Sequence, residues 1–287
     1  MILVTGATGD IGGEVCRLLH DAGTPFRAMC RKQEQINAFR EKGIDAVLGD
    51  FDRPDTLTGA MEGCESMLLL SGPSPDQTDR EIRAIDAAKA AGVSRIVKIS
   101  ASDSNLRTPV PWAQAHAHID HHLRASGLRW TILRPTAYMQ NLLWFKDPIS
   151  KGVLPQTSGK GCASWVDTRD VARVAVTVLT EGGHDKATYF LTGPEALDMR
   201  DISRRLSDVL GRKVRFVNLP KSAFWGLMRA VGTSQWMAKG LAVQFADVVA
   251  GHHAVDPTSE VERLTGVPPH DFEQFASDYR AQFVKAA

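Results

Sequence analysis

The sequence feature that most constrains the fold is a glycine-rich turn at the start of the chain. The apolar run ILV at residues 2–4 predicts a short buried strand, and a helical pattern of apolar residues follows from Val15. Between them, Gly6, Gly9 and Gly12 recur at intervals of three residues. In a strand–turn–helix unit of this kind, the first glycine permits a tight turn, the second admits a phosphate, and the third lets the helix pack closely.

The helix N-terminus beside this turn presents unpaired backbone N–H groups and a partial positive charge, which together favour an anion. A plain glycine-rich turn would show the same spacing. The chain, however, continues to alternate strands and helices, which is the context that the dinucleotide motif requires. We therefore predict a dinucleotide-binding loop, whose pyrophosphate-binding residues are Gly6, Thr8, Gly9, Asp10, Ile11 and Gly12.

Further apolar runs predict a repeated strand–helix pattern. The predicted strands cover Pro25–Cys30, Ala46–Leu48, Ser66–Leu70, Arg95–Ser100 and Trp130–Leu133. This alternation predicts an α/β fold with a doubly wound, parallel Rossmann sheet. We expect residues 1–150 to form the NAD(P)-binding core. Residues 151–287 are expected to return one or more strands to that core and to form a smaller C-terminal α/β substrate lobe.

One stretch of this lobe, residues 220–251, is rich in tryptophan and methionine and shows no clear pattern of strands or helices. We expect it to be irregular. Flexible and aromatic apolar side chains suit a pocket for a hydrophobic ligand, and they equally suit a small helical core or a dimer surface.

The end of the second predicted strand bears on the choice of dinucleotide. An acid at this position would bond the ribose 2′-hydroxyl of NAD(H), whereas a base would suit the 2′-phosphate of NADP(H). The sequence here is Cys30-Arg31-Lys32, without an acid. We therefore predict that NADP(H) is preferred over NAD(H), with Arg31 on the 2′-phosphate and Lys32 assisting. The alternative is a solvated pair of charges at the start of the next helix.

Ligands of a doubly wound sheet bind outside the carboxyl ends of its strands. At the third strand end, Asp50 is predicted to bond the adenine amine and Phe51 to pack on the adenine ring. At the fourth, Ser71 and Gly72 form a loop small enough to pass over the inner ribose and the nicotinamide. Ser100, at the fifth, is predicted to contact the nicotinamide or a substrate carbonyl, or else to cap its own loop.

Composition excludes several classes of protein. The 287 residues carry a formal net charge of +1, which argues against a nucleic-acid or anionic-membrane surface. No apolar run approaches the roughly 20 residues that span a bilayer. The four cysteines are scattered without a C-x-x-C pair, which is typical of reduced thiols. Because the first strand begins at residue 1, we also expect no cleavable signal. We predict a cytoplasmic monomer or homodimer that binds a small molecule.

Longer motifs resemble a known family. They are VTGATGDIGG at residues 4–13, AGVSRIV at 91–97, LRASGLRWTILRP at 123–135, WVDTRDVA at 165–172 and LTGVPPHDF at 264–272. With them, the chain resembles the NmrA-like group of atypical short-chain dehydrogenases/reductases. That group includes triphenylmethane reductase and NAD(P)H quinone oxidoreductase type enzymes, and also non-catalytic redox sensors. The resemblance extends over essentially the whole chain but does not select a substrate.

The resemblance implies a departure on the helix after the fifth strand. The Tyr, Lys and Glu typical of short-chain dehydrogenases, each four residues apart, fall on Trp112, His116 and Asp120. A tryptophan cannot donate the phenolic proton that accompanies hydride transfer. We predict that His116 faces the reacting ring, since it can hold ribose hydroxyls or act as an acid near neutral pH. Ser100 lies near the position of the family's active-site serine.

Other histidines are weighed as possible metal ligands. His118, His121 and His122 share the short helix of His116. A zinc site would need a third, well-directed ligand, so we predict no metal and interpret these histidines chiefly as ordinary helix residues. The pair at residues 252 and 253 is interpreted as part of the surface.

Residues after the sixth strand are candidates for substrate binding. The resemblance places Asn141 near the nicotinamide and the substrate. Tyr138, Trp144 and Phe145 would provide an apolar wall for a flat substrate, or would form a core aromatic cluster. The sequence favours an NADP(H)-dependent reductase of an aromatic or quinone-like molecule. Two alternatives are a cofactor-independent monooxygenase or isomerase of a polyketide-like aromatic and a non-catalytic NADP-binding redox sensor.

Overall fold

The computed structural model describes residues 1–251 and 256–284. These residues form two compact units. Unit 1 comprises residues 1–108, 112–134 and 169–190, and unit 2 comprises residues 109–111, 135–168 and the described residues from 191 onwards. The chain therefore leaves the first unit after the sixth strand and returns to it for one more helix and strand.

Nine strands are found in these residues. They are β1 Ile2–Val4, β2 Phe26–Cys30, β3 Asp45–Leu48, β4 Ser66–Leu69, β5 Arg95–Ile99, β6 Arg129–Pro135, β7 Val153–Gln156, β8 Ala187–Leu191 and β9 Arg215–Asn218. Seven of them form one sheet in the order β3-β2-β1-β4-β5-β6-β8, and the pairings among the first six are all parallel. The predicted doubly wound Rossmann sheet is thus confirmed.

Helices alternate with these strands. The α-helices are α1 Asp10–Asp21, α2 Gln33–Arg40, α3 Leu57–Met61, α4 Gln77–Ala90, α5 Pro111–Ala125, α6 Lys146–Ser150, α7 Thr168–Thr180, α8 Met199–Leu210, α9 Lys221–Ala230, α10 Gln235–Val243, α11 Glu260–Thr265, α12 Phe272–Asp278 and α13 Arg280–Phe283. Short 3-10 turns cover Pro54–Thr56 and Met139–Phe145. A π-helical turn covers Gln244–Val249.

The strand order explains where a ligand site lies in unit 1. The chain runs outward from β1 to β3 and then returns to place β4 on the other side of β1. The sheet therefore reverses direction between β1 and β4, and the turns after these two strands lie side by side at its carboxyl edge. Such a switch point is where open α/β sheets bind their ligands.

The core of unit 1 is continuous and apolar, with one exception. Strands β1, β4 and β5 are buried along their whole lengths, as expected for parallel strands covered on both faces. Strand β5 reads Arg-Ile-Val-Lys-Ile, and its Lys98 is completely buried. A lysine is almost never fully buried unless it is paired.

Unit 2 contains a two-stranded parallel sheet of β7 and β9, in which Val153 pairs with Arg215. The expectation of an irregular lobe over residues 220–251 is wrong, because α9, α10 and the π-helical turn occupy most of it. Its apolar residues recur at helical spacing, and Phe224, Met228 and Phe245 are buried. The rings of Phe224 and Phe245 meet edge to face with centroids 6.2 Å apart, so this segment forms a small helical core.

Candidate active site

The turn between β1 and α1 has the geometry of a phosphate cradle. Gly6 adopts a left-handed conformation with φ of 63°, which favours glycine. The backbone N–H of Gly9 donates to the Gly6 carbonyl at 3.0 Å, and Gly9 then serves as the N-cap of α1. The Thr5 hydroxyl donates to the Leu68 carbonyl at 2.9 Å and so ties the turn to β4.

Gly12 is required by close packing. A Cβ atom there would lie 2.2 Å from the Gly6 carbonyl oxygen, which no side chain can tolerate. At Gly9 the same atom would lie 3.5 Å from that oxygen, in ordinary contact. The exposed face of the turn consists of Thr8, Gly9 and Asp10. The N-terminus of α1 receives no side-chain cap, so its first N–H groups point to a cradle that fits a pyrophosphate.

The basic residues after β2 are exposed and close to this edge of the sheet. The Gln35 side chain accepts hydrogen bonds from the backbone N–H groups of Arg31 and Lys32, both at 3.2 Å, and thereby begins α2. The Lys32 ammonium lies 3.6 Å from Glu34, an exposed pair that contributes little to stability. Contact of Arg31 with a 2′-phosphate stays a prediction.

The residues after β3 form hydrogen bonds with one another within a turn. The Asp50 carboxylate accepts from the Asp52 N–H at 3.1 Å, and the Asp50 N–H donates to Thr56 at 2.9 Å. Phe51 is only 7% exposed and packs in the core of unit 1. Little of the Phe51 ring is accessible to an adenine, and both adenine contacts stay predictions.

Eight polar side chains converge at the carboxyl ends of β4 and β5; we call them the buried polar cluster. Its members are Ser71, Gln77, Glu81, Lys98, Ser100, His116, Asp120 and Arg134. Helices α4 and α5 each supply two members at a spacing of four residues, which places each pair on one helical face. Lys98 and Ser100 are two residues apart along β5 and its extension, and therefore share one face of the sheet.

Lys98 is the centre of this cluster. Its Nζ lies 2.8 Å from Nδ1 of His116, 3.3 Å from Oδ1 of Asp120 and 3.7 Å from Oε2 of Glu81. It also donates to the Ile99 carbonyl at 3.2 Å. The Lys98, Glu81 and Asp120 side chains are all 0% exposed. Two carboxylates and an imidazole thus surround one buried ammonium.

The two carboxylates are held by further donors. Asp120 accepts from the Ser100 hydroxyl and from the Arg134 guanidinium, both at 2.9 Å. Glu81 accepts from the Ser71 hydroxyl at 2.6 Å and from the Gln77 amide at 3.1 Å. Ser100 is 3% exposed, and its hydroxyl is directed to Asp120. The role of Ser100 at a substrate carbonyl stays a prediction.

His116 lies where the charges of the cluster act upon it. Burial lowers its pKa well below the usual 6.5, and the positive charges of Lys98 and Arg134 lower it further. At neutral pH the imidazole is therefore uncharged, with one N–H and one acceptor nitrogen. His116 as a whole residue is partly exposed, whereas Lys98 is completely buried.

Sequence reasoning singled out neither Lys98 nor Glu81. Signals for both were present, since Lys98 interrupts an apolar strand and Glu81 lies four residues before the inward-facing Ile85 of α4. What the sequence could not show is that α4 and α5 bring their polar faces to the same strand end.

The other histidines of α5 lie apart from the cluster. His118 and His121 are exposed, and His122 pairs with Asp86 at 2.8 Å. In residues 1–251 and 256–284, no group of three or more His, Cys, Asp or Glu side chains could hold a metal ion. His252 and His253 lie outside the described residues.

Unit 2 contains a small apolar pocket. Three of the four predicted substrate residues line it, namely Asn141, Trp144 and Phe145, and Tyr138 does not. Trp144 is 44% exposed and Phe145 is 4% exposed. The remaining wall is apolar apart from the Gln156 amide. Burial raises the pKa of Tyr138, so this phenol keeps its proton at neutral pH.

Comparison with known proteins agrees with this geometry. A family model described as NAD(P)H-binding matches residues 6–182. Two similar curated proteins are an NAD(P)H azoreductase of Xenophilus azovorans, 34% identical with 99% of each chain covered, and quinone oxidoreductase 2 of Escherichia coli, 30% identical with 93% and 94% covered. The chain therefore belongs to the NAD(P)H-binding family, in its NmrA-like group of atypical short-chain dehydrogenases/reductases.

Solved structures agree in fold. The E. coli quinone oxidoreductase QOR2 in complex with NADPH superposes with a TM-score of 0.89, at 27% identity and with 98% of this chain and 100% of that one covered. The triphenylmethane reductase of Citrobacter sp. in complex with NADP(H) gives a TM-score of 0.88 at 24% identity, with 97% and 99% covered. Within the part of the chain that the structure describes, no helix is long and apolar enough to cross a membrane.

The glycine turn yields a first prediction. Gly12→Ala forces a Cβ against the Gly6 carbonyl, so we expect a loss of about 1–3 kcal/mol in the free energy of unfolding and at least tenfold weaker NADPH binding. Gly13→Ala is the matched control, since its Cβ would lie 3.5 Å from the Ala7 carbonyl. Chemical denaturation and fluorescence titration measure both effects. Equal behaviour of the two variants would contradict the packing argument.

The depressed pKa of His116 yields a second prediction. Unfolded chains bind a proton at His116 near pH 6.5 whereas the folded protein does not, so stability is lost as the pH falls below 6.5. Between pH 7.5 and 5.5 the wild type should lose about 1.4 kcal/mol more than His116→Gln does. The exposed His118→Gln variant is the control and should follow the wild type. Urea denaturation across this pH range gives the comparison.

Proposed function

We propose that this protein is an NADPH-dependent reductase of a small aromatic acceptor of the azo, quinone or cationic-dye type. The observation that carries the proposal is the phosphate cradle, in which Gly12 packs on Gly6 beside an uncapped helix N-terminus. The similarity to an azoreductase (34% identity) and to a quinone oxidoreductase (30% identity), which extends over nearly the whole chain, supports the acceptor class.

In this proposal, the residues of the sheet edge bind and orient the dinucleotide. Residues 6–12 hold the pyrophosphate, and the exposed Arg31 takes the 2′-phosphate. Ser71 and Gly72 follow β4 and would hold the inner ribose and the nicotinamide. When bound, the cofactor supplies a hydride from its nicotinamide ring. The protein contributes position, charge and exclusion of water.

The absence of a tyrosine on α5 narrows the range of acceptors that the proposed reductase can reduce. Trp112 occupies the position of the family's tyrosine and has no acidic proton to give. Without it, catalysis relies on holding donor and acceptor in a reactive geometry. Quinones, azo compounds and dye cations accept a hydride readily, because the electron pair enters a conjugated system. A flat acceptor is consistent with the aromatic wall of Trp144 and Phe145.

Cofactor preference gives the first test. NADPH should bind at least tenfold more tightly than NADH, because only the former carries a 2′-phosphate for Arg31. Arg31→Ala should remove most of this difference and leave NADH binding within about twofold. Lys42→Ala, which removes an exposed lysine beyond the other end of α2, is the charge control. Isothermal titration gives the affinities, and equal weakening of both cofactors by Arg31→Ala would contradict the assignment.

Turnover tests the reaction itself. The protein should oxidise NADPH in the presence of a benzoquinone, an azo dye or a cationic triphenylmethane dye, as followed by NADPH absorbance and by dye bleaching. Tight NADPH binding without oxidation by any acceptor would instead support the redox sensor. Conversion of an aromatic polyketide without NADPH consumption would support the monooxygenase or isomerase.

A further inference from the structure

The buried polar cluster places four charged side chains around one histidine, and the proposed binding of the dinucleotide uses none of these five groups. Lys98 is fully buried in a central strand, and a buried ion pair of this kind is often no more stabilising than apolar residues of similar volume. Its position at the carboxyl edge, 2.8 Å from a histidine, suits a role in the reaction rather than in packing alone. The hydrogen bonds around His116 indicate what that role is.

The contact with Lys98 decides the tautomer of His116. An ammonium has three donors and no acceptor, so Nδ1 of His116 must accept the 2.8 Å hydrogen bond from Lys98. In a neutral imidazole the proton is then on Nε2. The depressed pKa agrees with a neutral ring that carries one proton, and the contact with Lys98 selects the nitrogen that carries it.

The Nε2–H of His116 has no acceptor in its closest contact. Its neighbour at 3.4 Å is the amide nitrogen of Gln77, which itself donates to Glu81 at 3.1 Å. Two donors therefore face each other. The residue His116 is partly exposed, whereas Lys98 is completely buried, so of the two His116 is the one nearer to an external acceptor.

The positive and negative charges that surround His116 are equal in number. Helix α4 contributes Glu81, α5 contributes Asp120, β5 contributes Lys98 and β6 contributes Arg134, which gives two positive and two negative charges. A proton added to the ring would create an excess positive charge in a buried place. If one proton binds Nδ1 while a second proton leaves from Nε2, the ring stays neutral and that cost is avoided.

We propose that Lys98 and His116 form a proton relay that protonates the reduced acceptor, with Lys98 as the proton store and His116 as the donor. This inference rests on the proposed reductase function and supplies the acid that Trp112 cannot provide. Three positioning residues hold the Lys98 ammonium beside the His116 ring: Glu81, Gln77 and Asp120.

The relay conserves atoms and electrons at each step. A quinone or azo acceptor gains an electron pair and one hydrogen as hydride, which leaves an anionic oxygen or nitrogen. The Nε2–H bond of His116 breaks and a new O–H or N–H bond forms on the product. An N–H bond of Lys98 breaks and an Nδ1–H bond forms, which leaves a neutral amine. A water molecule then gives a proton to Nε2 and leaves as hydroxide, while the Nδ1 proton returns to Lys98 and restores its ammonium.

The chemistry of the acceptor provides an internal control. A triphenylmethane dye is a carbocation, so hydride alone converts it to a neutral product and no proton is needed. A quinone needs both a hydride and a proton to give a neutral product. The relay therefore affects the ratio of quinone turnover to dye turnover, whereas general damage to the fold or to cofactor binding lowers both rates together.

The test uses the charge-balanced double variant Lys98→Met/Glu81→Gln, because Lys98→Met alone leaves a carboxylate unpaired and endangers folding. We expect the ratio of kcat for quinone to kcat for dye to fall about 100-fold, the typical size of an acid–base contribution. His116→Gln should lower the same ratio. His121→Gln, an exposed histidine on the same helix, should leave it unchanged.

A second measurement is independent of turnover. In 15N-histidine-labelled wild type at pH 7, the His116 shifts should show Nε2 protonated and Nδ1 as acceptor, and the double variant should lose that preference. Protonated Nδ1 in the wild type overturns the relay, and so does an unchanged ratio of quinone to dye turnover. Failure to oxidise NADPH with any acceptor overturns the proposed function, and the relay with it.

Discussion

The contact between α1 and the first turn is the constraint on which the ligand site of unit 1 depends. With only a hydrogen at Gly12, the helix begins close enough to the Gly6 carbonyl to aim its N-terminal N–H groups at the sheet edge. That edge is also where the strand order reverses between β1 and β4. A helix dipole, free N–H donors and a crevice therefore coincide at one place, which suits a dinucleotide pyrophosphate.

A second constraint acts a few residues away, at the ends of β4 and β5. Burying Lys98 is tolerable only because Glu81 and Asp120 lie within 4 Å of its ammonium. Arg134 balances the second carboxylate, and burial, together with the positive charges of Lys98 and Arg134, keeps His116 uncharged. The ammonium that these carboxylates hold in place thus determines the tautomer of His116.

Much of this could be predicted from the chain alone. The turn at Gly6–Gly12 and the alternation of strands and helices are local patterns, and they indicated the Rossmann fold and its family. The segment at 220–251 was mispredicted, because its tryptophans and methionines obscure a helical period that is plain once Phe224, Met228 and Phe245 are seen buried. Strand β7, which pairs with β9, was not predicted from the sequence.

The sequence by itself indicated a dinucleotide-binding fold and showed a tryptophan, Trp112, where the family resemblance expects a tyrosine. Both depend on residue type and short-range spacing, which need no tertiary contact. Only the tertiary structure decided the state of His116, because its pKa and its tautomer depend on Lys98, 18 residues away along the chain, at 2.8 Å. Long-range packing brings these groups together, and neither spacing nor composition encodes that distance.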